Sequence, residues 1–192
     1  MAKSEVEIRP LRRVEYEFLV DHGFFEPGER VELIDGVLMV AEPQSSYHFT
    51  AIRLVELALT RAFGTGWDVR AQGPIALDDT SEPEPDVAVV RGGPRDYVRA
   101  HPAKPVLVVE ISLTSVAFDR RLKSSLYARA GRPEYWIINL VDRVLEVRRD
   151  PAPSNDAPYG WEYATVEVRR EEDRVSPLAM PGAAIAVAEL LP

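Results

Sequence analysis

Two carboxylates stand at the tips of apolar segments. Asp86 follows Pro85 and immediately precedes Val87-Ala88-Val89-Val90, and Glu110 closes the run Val106-Leu107-Val108-Val109 ahead of Ile111-Ser112. An acidic group at the end of a buried strand is costly unless a cation compensates it. Two such tips on neighbouring strands would form a hard-oxygen site suited to Mg²⁺ or Mn²⁺. Taken singly, either residue reads more readily as a turn cap or the partner of an arginine; taken as a pair with their contexts, the metal site is the better reading. A third group, Lys123, lies on the predicted helix after Glu110, with Asp119 and Tyr127 one turn to either side on the same face. A lysine beside metal-binding carboxylates can orient or help to deprotonate an attacking water and offset charge developing on phosphate. The alternative is an ordinary surface pair between Asp119 and Lys123, worth a few tenths of a kcal/mol.

The elements that must position these groups follow from periodicity and turn chemistry. Leu11, Val14, Phe18 and Leu19 recur at helical spacing up to His22, before Gly23. VELIDGVLMV reads as a hairpin closed by Asp35-Gly36, a pair that suits a type I′ turn. Ser45 or Ser46 caps a second helix whose apolar face is Ile52, Val55, Leu59 and Phe63, ended by Gly64 and Gly66. Trp67 to Leu77 suggests one or two strands interrupted by Gly73-Pro74, and DDTSEPEPD is a loop leading into the strand Val87 to Val90. PVLVVEIS has the unbroken apolar character of a strand covered on both faces. A basic helix over Ser115 to Ala130 follows, then strands Glu134 to Leu140 and Val144 to Arg148 paired around Asp142-Arg143. DPAPSNDAPYG is expected to be a surface loop, and Trp161 to Val168 a further strand. With no repeat, low-complexity tract or linker, residues 1–192 read as one domain.

The chain has 31 acidic and 23 basic side chains, a net charge of −8, which argues against a protein that coats nucleic acid nonspecifically. It leaves room for a nuclease, whose clustered carboxylates add negative charge and whose basic patch can be local. Arg120, Arg121, Lys123 and Arg129 on one helix are the local set that would suit a phosphate backbone, a solvated helix face being the alternative. Tyr135 and Trp136 suggest base stacking, but alternation through Tyr135-Trp136-Ile137-Ile138 favours core packing. The absence of cysteine excludes disulfides and thiolate zinc sites. The opening Met-Ala-Lys-Ser-Glu-Val-Glu lacks the apolar stretch of a signal peptide, and no run approaches the ~20 residues of a membrane span. A cytoplasmic location without membrane contact is therefore expected.

Pro85-Asp86, Glu110-Ile111-Ser112, Asp119, Lys123 and Tyr127, and Glu134-Tyr135-Trp136-Ile137 together resemble the Uma-two family of bacteria, which is placed in the PD-(D/E)XK superfamily. The resemblance spans roughly Val31 to Arg148. It implies a restriction-endonuclease-like α/β core, a central mixed sheet flanked by helices. Asp86 and Glu110 would bind the metal, with the Ile111 carbonyl as a further ligand. The superfamily usually places its lysine two residues after the glutamate; here that position is Ser112, which suggests that Lys123 supplies the charge from the helix. Asn139 stands where the family more often has aspartate. Glu32 resembles an acidic residue accompanying the site, as a supporting acceptor or a ligand of a second metal, with a plain edge-strand glutamate as the alternative. His48 matches a recurrent histidine that would contact phosphate or shuttle a proton, unless it is merely satisfied by local hydrogen bonds. The implied activity is Mg²⁺- or Mn²⁺-dependent hydrolysis of DNA, by a homodimer where both strands of a duplex are cut. The rival expectations are a noncatalytic binding module that keeps the fold and a small-molecule phosphohydrolase.

Overall fold

The computed structural model describes residues 7–41 and 43–192; the amino-terminal peptide read for a leader lies, apart from Glu7, outside the described residues. Its centre is a six-stranded mixed sheet in the order β3-β4-β5-β6-β7-β8. These strands are β3 (Trp67–Ala71), β4 (Val87–Arg91), β5 (Leu107–Ser112), β6 (Glu134–Asn139), β7 (Val144–Pro153) and β8 (Trp161–Arg169). Only β5 and β6 pair in parallel, with Glu110 opposite Ile137; every other pairing in this sheet is antiparallel.

A period of two assigns the side chains to the faces. Val87, Val89, Val109, Ile111, Trp136 and Ile138 pack toward helix α2 (Ser46–Phe63), against Ile52, Val55, Leu59 and Phe63. Ala88, Val108, Tyr135 and Ile137 face the other way, onto Leu126 and Tyr127. Glu110 shares the parity of Val108, so its carboxylate is directed at the second layer. The apolar face expected for α2 is the buried one, Ser45 accepts the His48 backbone N–H at its start, and Gly64 ends it with φ of 65°. Tyr135 and Trp136 are fully buried core residues.

The parallel β5–β6 pair requires a crossover helix. It runs as α3 (Val116–Phe118), a π turn (Asp119–Lys123) and α4 (Ser124–Arg129). In the π turn the Ser124 N–H reaches back to the Asp119 carbonyl, and Lys123 and Tyr127 continue on the inward face.

Strands β1 (Val31–Ile34) and β2 (Val37–Val40) form a separate hairpin turned by Asp35 (φ 49°) and Gly36 (φ 80°), as Asp-Gly predicts. A Cβ at Gly36 would collide with Pro10. β1 is joined to the loop ahead of β4 by Leu33 and Glu82, whose backbones exchange hydrogen bonds. Two expectations are corrected, and the one or two strands expected over Trp67 to Leu77 resolve to one, β3. β7 continues through Asp150 to Pro153, pairing with β8, so the predicted loop shrinks to its Ser154–Gly160 portion. No strand follows Ala71 before β4, because Gln72, at φ of 53°, turns the chain. Helix α1 (Arg13–Asp21) exposes Val14 and Phe18 and instead buries Tyr16, whose hydroxyl donates to the Val31 carbonyl at 2.6 Å.

Helix α1 meets the loop through Glu82, which is 3% exposed and faces Glu17 and Arg13, with His101 Nε2 3.8 Å away. Burial first, then the nearby Glu17, raise the Glu82 carboxyl to about 7 from 4.5; Arg13 opposes the rise and Glu84 adds to it. The folded chain thus holds this proton more tightly than the unfolded chain. Its contribution is full below pH 4.5 and is lost as pH rises to about 7. Stability is expected to fall across that window by up to ~1.4 kcal/mol per unit from this group. Glu82→Gln, neutral throughout, is expected to flatten that portion of the profile in urea denaturation; an unchanged profile would contradict it.

Candidate active site

At the carboxyl end of β5 and the start of β4, the backbone exchanges partners with side chains. Ile111 N–H donates to Asp86 Oδ2 at 2.8 Å, and Asp86 N–H approaches Glu110 Oε2 at 3.4 Å. The two tips that looked independent along the chain are therefore adjacent. Glu110 is 4% exposed, and its Oε1 accepts from Lys123 Nζ at 3.0 Å and from the Tyr127 hydroxyl at 2.8 Å. Lys123 Nζ also donates to Glu32 Oε2 at 3.1 Å, and that oxygen accepts the Glu84 N–H at 3.0 Å.

The surface-pair reading of Asp119 and Lys123 fails, since both are buried. Asp119 Oδ2 instead accepts from Ser112 Oγ at 2.6 Å and Ser115 Oγ at 2.5 Å. Ser112, at the position where a superfamily lysine would stand, thus orients Asp119, while Lys123 brings the ammonium to Glu110. His48, in the first turn of α2, puts Nε2 2.7 Å from the Ile111 carbonyl oxygen and 3.5 Å from Asp86 Oδ2. Its buried Nδ1 has no partner among the described residues. Asn139 is engaged locally: its side chain accepts the Val141 and Asp142 N–H groups and donates to Asp142.

The electrostatics follow from crowding acids in a dry place. Burial raises the Glu110 carboxyl above the usual range; Lys123 opposes this, and Asp86, Asp119 and Glu32 push the same way as burial. Burial would lower the Lys123 amine, but Glu110, Glu32 and Asp119 overcome it and raise it, so it stays an ammonium. Burial would likewise lower His48, yet Asp86, the Ile111 carbonyl and Glu110 bring it above its ordinary value. Asp119 is raised chiefly by burial, against Lys123 and its two serine hydroxyls.

The cluster lines a cavity of about 500 Å³, which also includes Arg30, Met39, Glu84, Leu113 and Phe118. Arg30 and Glu84 were not anticipated. A period-two reading would have found them, since each lies two residues before a site carboxylate on an extended segment. The basic helix does not present one cationic face. Arg120 pairs with Glu146 and Asp142, and Arg129 with Asp35 and Asp78.

Four carboxylates (Glu32, Asp86, Glu110 and Asp119) stand against one ammonium, a surplus of negative charge and oxygen donors that suits a hard divalent cation. Among the described residues, no three His, Asp or Glu side chains are grouped at metal-binding spacing. An ion held by Asp86, Glu110 and the Ile111 carbonyl would therefore complete its shell with water or substrate oxygen, as Mg²⁺ characteristically does.

The mixed sheet with helices on both faces is the restriction-endonuclease-like core. A crystal structure described as a "putative nuclease belonging to DUF820 from Anabaena variabilis ATCC 29413" shares the fold, with a TM-score of 0.70 at 14% identity, over 94% of this chain and 97% of that one. The sequence profile of the Uma2 family, described as "Putative restriction endonuclease", matches residues 14–188, and the chain belongs to that family. A comparison with functionally curated proteins finds no match. No helix among the described residues is long and apolar enough to cross a membrane.

Proposed function

We propose that the protein is a metal-dependent nuclease that hydrolyses phosphodiester bonds in DNA, with Asp86, Glu110 and Lys123 as its working groups. The observation that carries this reading is the buried contact of Lys123 with Glu110, beside Asp86, at the base of a cavity open to substrate. Asp86, Glu110 and the Ile111 carbonyl would hold Mg²⁺ or Mn²⁺, which supplies Lewis acidity toward the phosphodiester and the attacking water. Lys123, locked as an ammonium, cannot accept a proton; it orients Glu110 and offsets negative charge growing on the phosphate. Tyr127 fixes the other side of the same Glu110 oxygen. Glu32 holds Lys123 from the hairpin, and Asp119 adds to its cationic character from the helix. His48 restrains the Ile111 carbonyl.

The test is incubation of purified protein with DNA and Mg²⁺ or Mn²⁺, with and without chelator. Chelator-sensitive cleavage is expected; no cleavage of any DNA or RNA would overturn the reading. A noncatalytic binding module is favoured by one observation, that Lys123, Glu110, Glu32 and Tyr127 already satisfy one another. Calorimetric titration with Mn²⁺ separates the two, since a module has no need to bind the ion.

A further inference from the structure

We infer that the substrate strand enters this cavity unpaired, with a base held by an apolar clamp between Met39 of the hairpin and Phe118 of the crossover helix. The inference rests on the nuclease reading above and names its substrate class. In the β1–β2 ladder Glu32 is directly opposite Met39, and Arg30 lies two residues earlier, immediately before the strand. Cross-strand partners share a face, so the hairpin side that delivers Glu32 to Lys123 also presents Met39 to the cavity, with Arg30 alongside. Leu113 and Phe118, from the β5–α3 connection, line the same cavity, and both are only partly buried. Apolar side chains thus flank a cluster that is otherwise acidic.

A duplex would need a different surface. Its affinity comes chiefly from Lys and Arg set against phosphates. Among the described residues lining the cavity, the basic side chains besides His48 are Arg30 and Lys123. Lys123 is 5% exposed and committed to two carboxylates. Arg120 and Arg129, from the adjoining helix, are ion-paired with acids, and the chain carries a net charge of −8. An unpaired strand also uses cations along its backbone, but it adds stacking of exposed base faces on side chains such as Phe118, a contribution that a duplex, whose bases are stacked on one another, cannot make. A base between Met39 and Phe118 would put the adjoining phosphodiester toward Asp86 and Glu110 and the neighbouring phosphate toward Arg30, whose pairing with Glu84 is long, at 3.8 Å. One catalytic centre then suffices, and the dimer expected for cutting both strands of a duplex is not required.

The test uses the full chain carrying Asp86→Asn, with divalent metal withheld so that nothing is cut, and reads fluorescence anisotropy of a labelled DNA oligonucleotide, alone or annealed to its complement. The single strand is expected to bind at least about tenfold more tightly. Adding Met39→Ala or Phe118→Ala is expected to weaken that binding about five- to tenfold or more, with circular dichroism showing the same melting. Duplex binding equal to or tighter than single-strand binding overturns the inference. So does competition by bis(p-nitrophenyl) phosphate as effective as that by the oligonucleotide. Wild-type protein that cuts duplex as fast as single strand overturns this inference and leaves the nuclease reading standing. A single strand that is bound through the clamp but never cut with Mg²⁺ or Mn²⁺ does the reverse.

Discussion

Asp86→Asn is expected to lower metal-dependent cleavage by a factor on the order of 100 to 1000 while leaving the melting temperature unchanged or higher. The amide keeps the shape of the carboxylate, and its oxygen can still accept the Ile111 N–H now bound by Asp86 Oδ2 at 2.8 Å. What it removes is one negative charge from a group that includes Glu110, Glu32 and Asp119 around a single ammonium. Like charges crowded into a low-dielectric site oppose folding, and their retention is explained by what they bind. Glu110→Gln should show the same loss of cleavage, but with some loss of stability, because the Lys123 ammonium and the Tyr127 hydroxyl both depend on that oxygen. The two variants therefore share a kinetic defect and differ in stability. Cleavage by Asp86→Asn at the wild-type rate would remove this carboxylate from the chemistry.

Much of the frame was legible in the residues because local and tertiary preferences agree. Asp35-Gly36 turns the hairpin as its backbone requires, the Ile52–Val55–Leu59–Phe63 stripe is the buried face of α2, and PVLVVEIS lies between two layers, as its unbroken apolar run implies. The site was legible as a set of residue types but not as a geometry. Spacing places Asp119, Lys123 and Tyr127 on one helical face, yet spacing alone cannot say whether that face meets solvent or the sheet. The π turn that carries Asp119 and Lys123 has no counterpart in a period of 3.6. Arg120 and Arg129 read as a basic face because their acidic partners lie elsewhere in the sequence: Glu146 on β7, and Asp35 and Asp78 on other turns. Val14 and Phe18 show the reverse limit, since an apolar stripe records a preference for burial and not the surface that would satisfy it.

Lys123→Met is expected to cost about 3–5 kcal/mol of folding stability, as does removal of one partner from a buried ion pair, and to abolish cleavage. Methionine fills most of the space of the lysine stem, so packing changes little; the loss lies in the two carboxylates left behind. Glu110 retains the Tyr127 hydroxyl, and Glu32 retains the Glu84 N–H, but neither retains a cation. Glu110 can relieve its burial by taking up a proton, and this fixes the pH dependence. Without Lys123, the burial that already raises Glu110 is unopposed, so the folded chain holds that proton more tightly than the unfolded chain does and the variant should regain stability as pH falls toward the ordinary glutamate range. The double variant Lys123→Met with Glu32→Leu leaves one carboxylate unpaired in place of two. It should recover part of the loss, so that the costs of the two single changes do not add. Urea denaturation of the wild type, both single variants and the double variant at two pH values measures this coupling. Strict additivity, or a Lys123→Met protein as stable as wild type at neutral pH, would mean that the Glu32–Lys123–Glu110 bridge does not hold the hairpin to the sheet. In that case the hairpin that walls the cavity would be anchored chiefly by the Leu33–Glu82 backbone pairing and by Tyr16 under Val31.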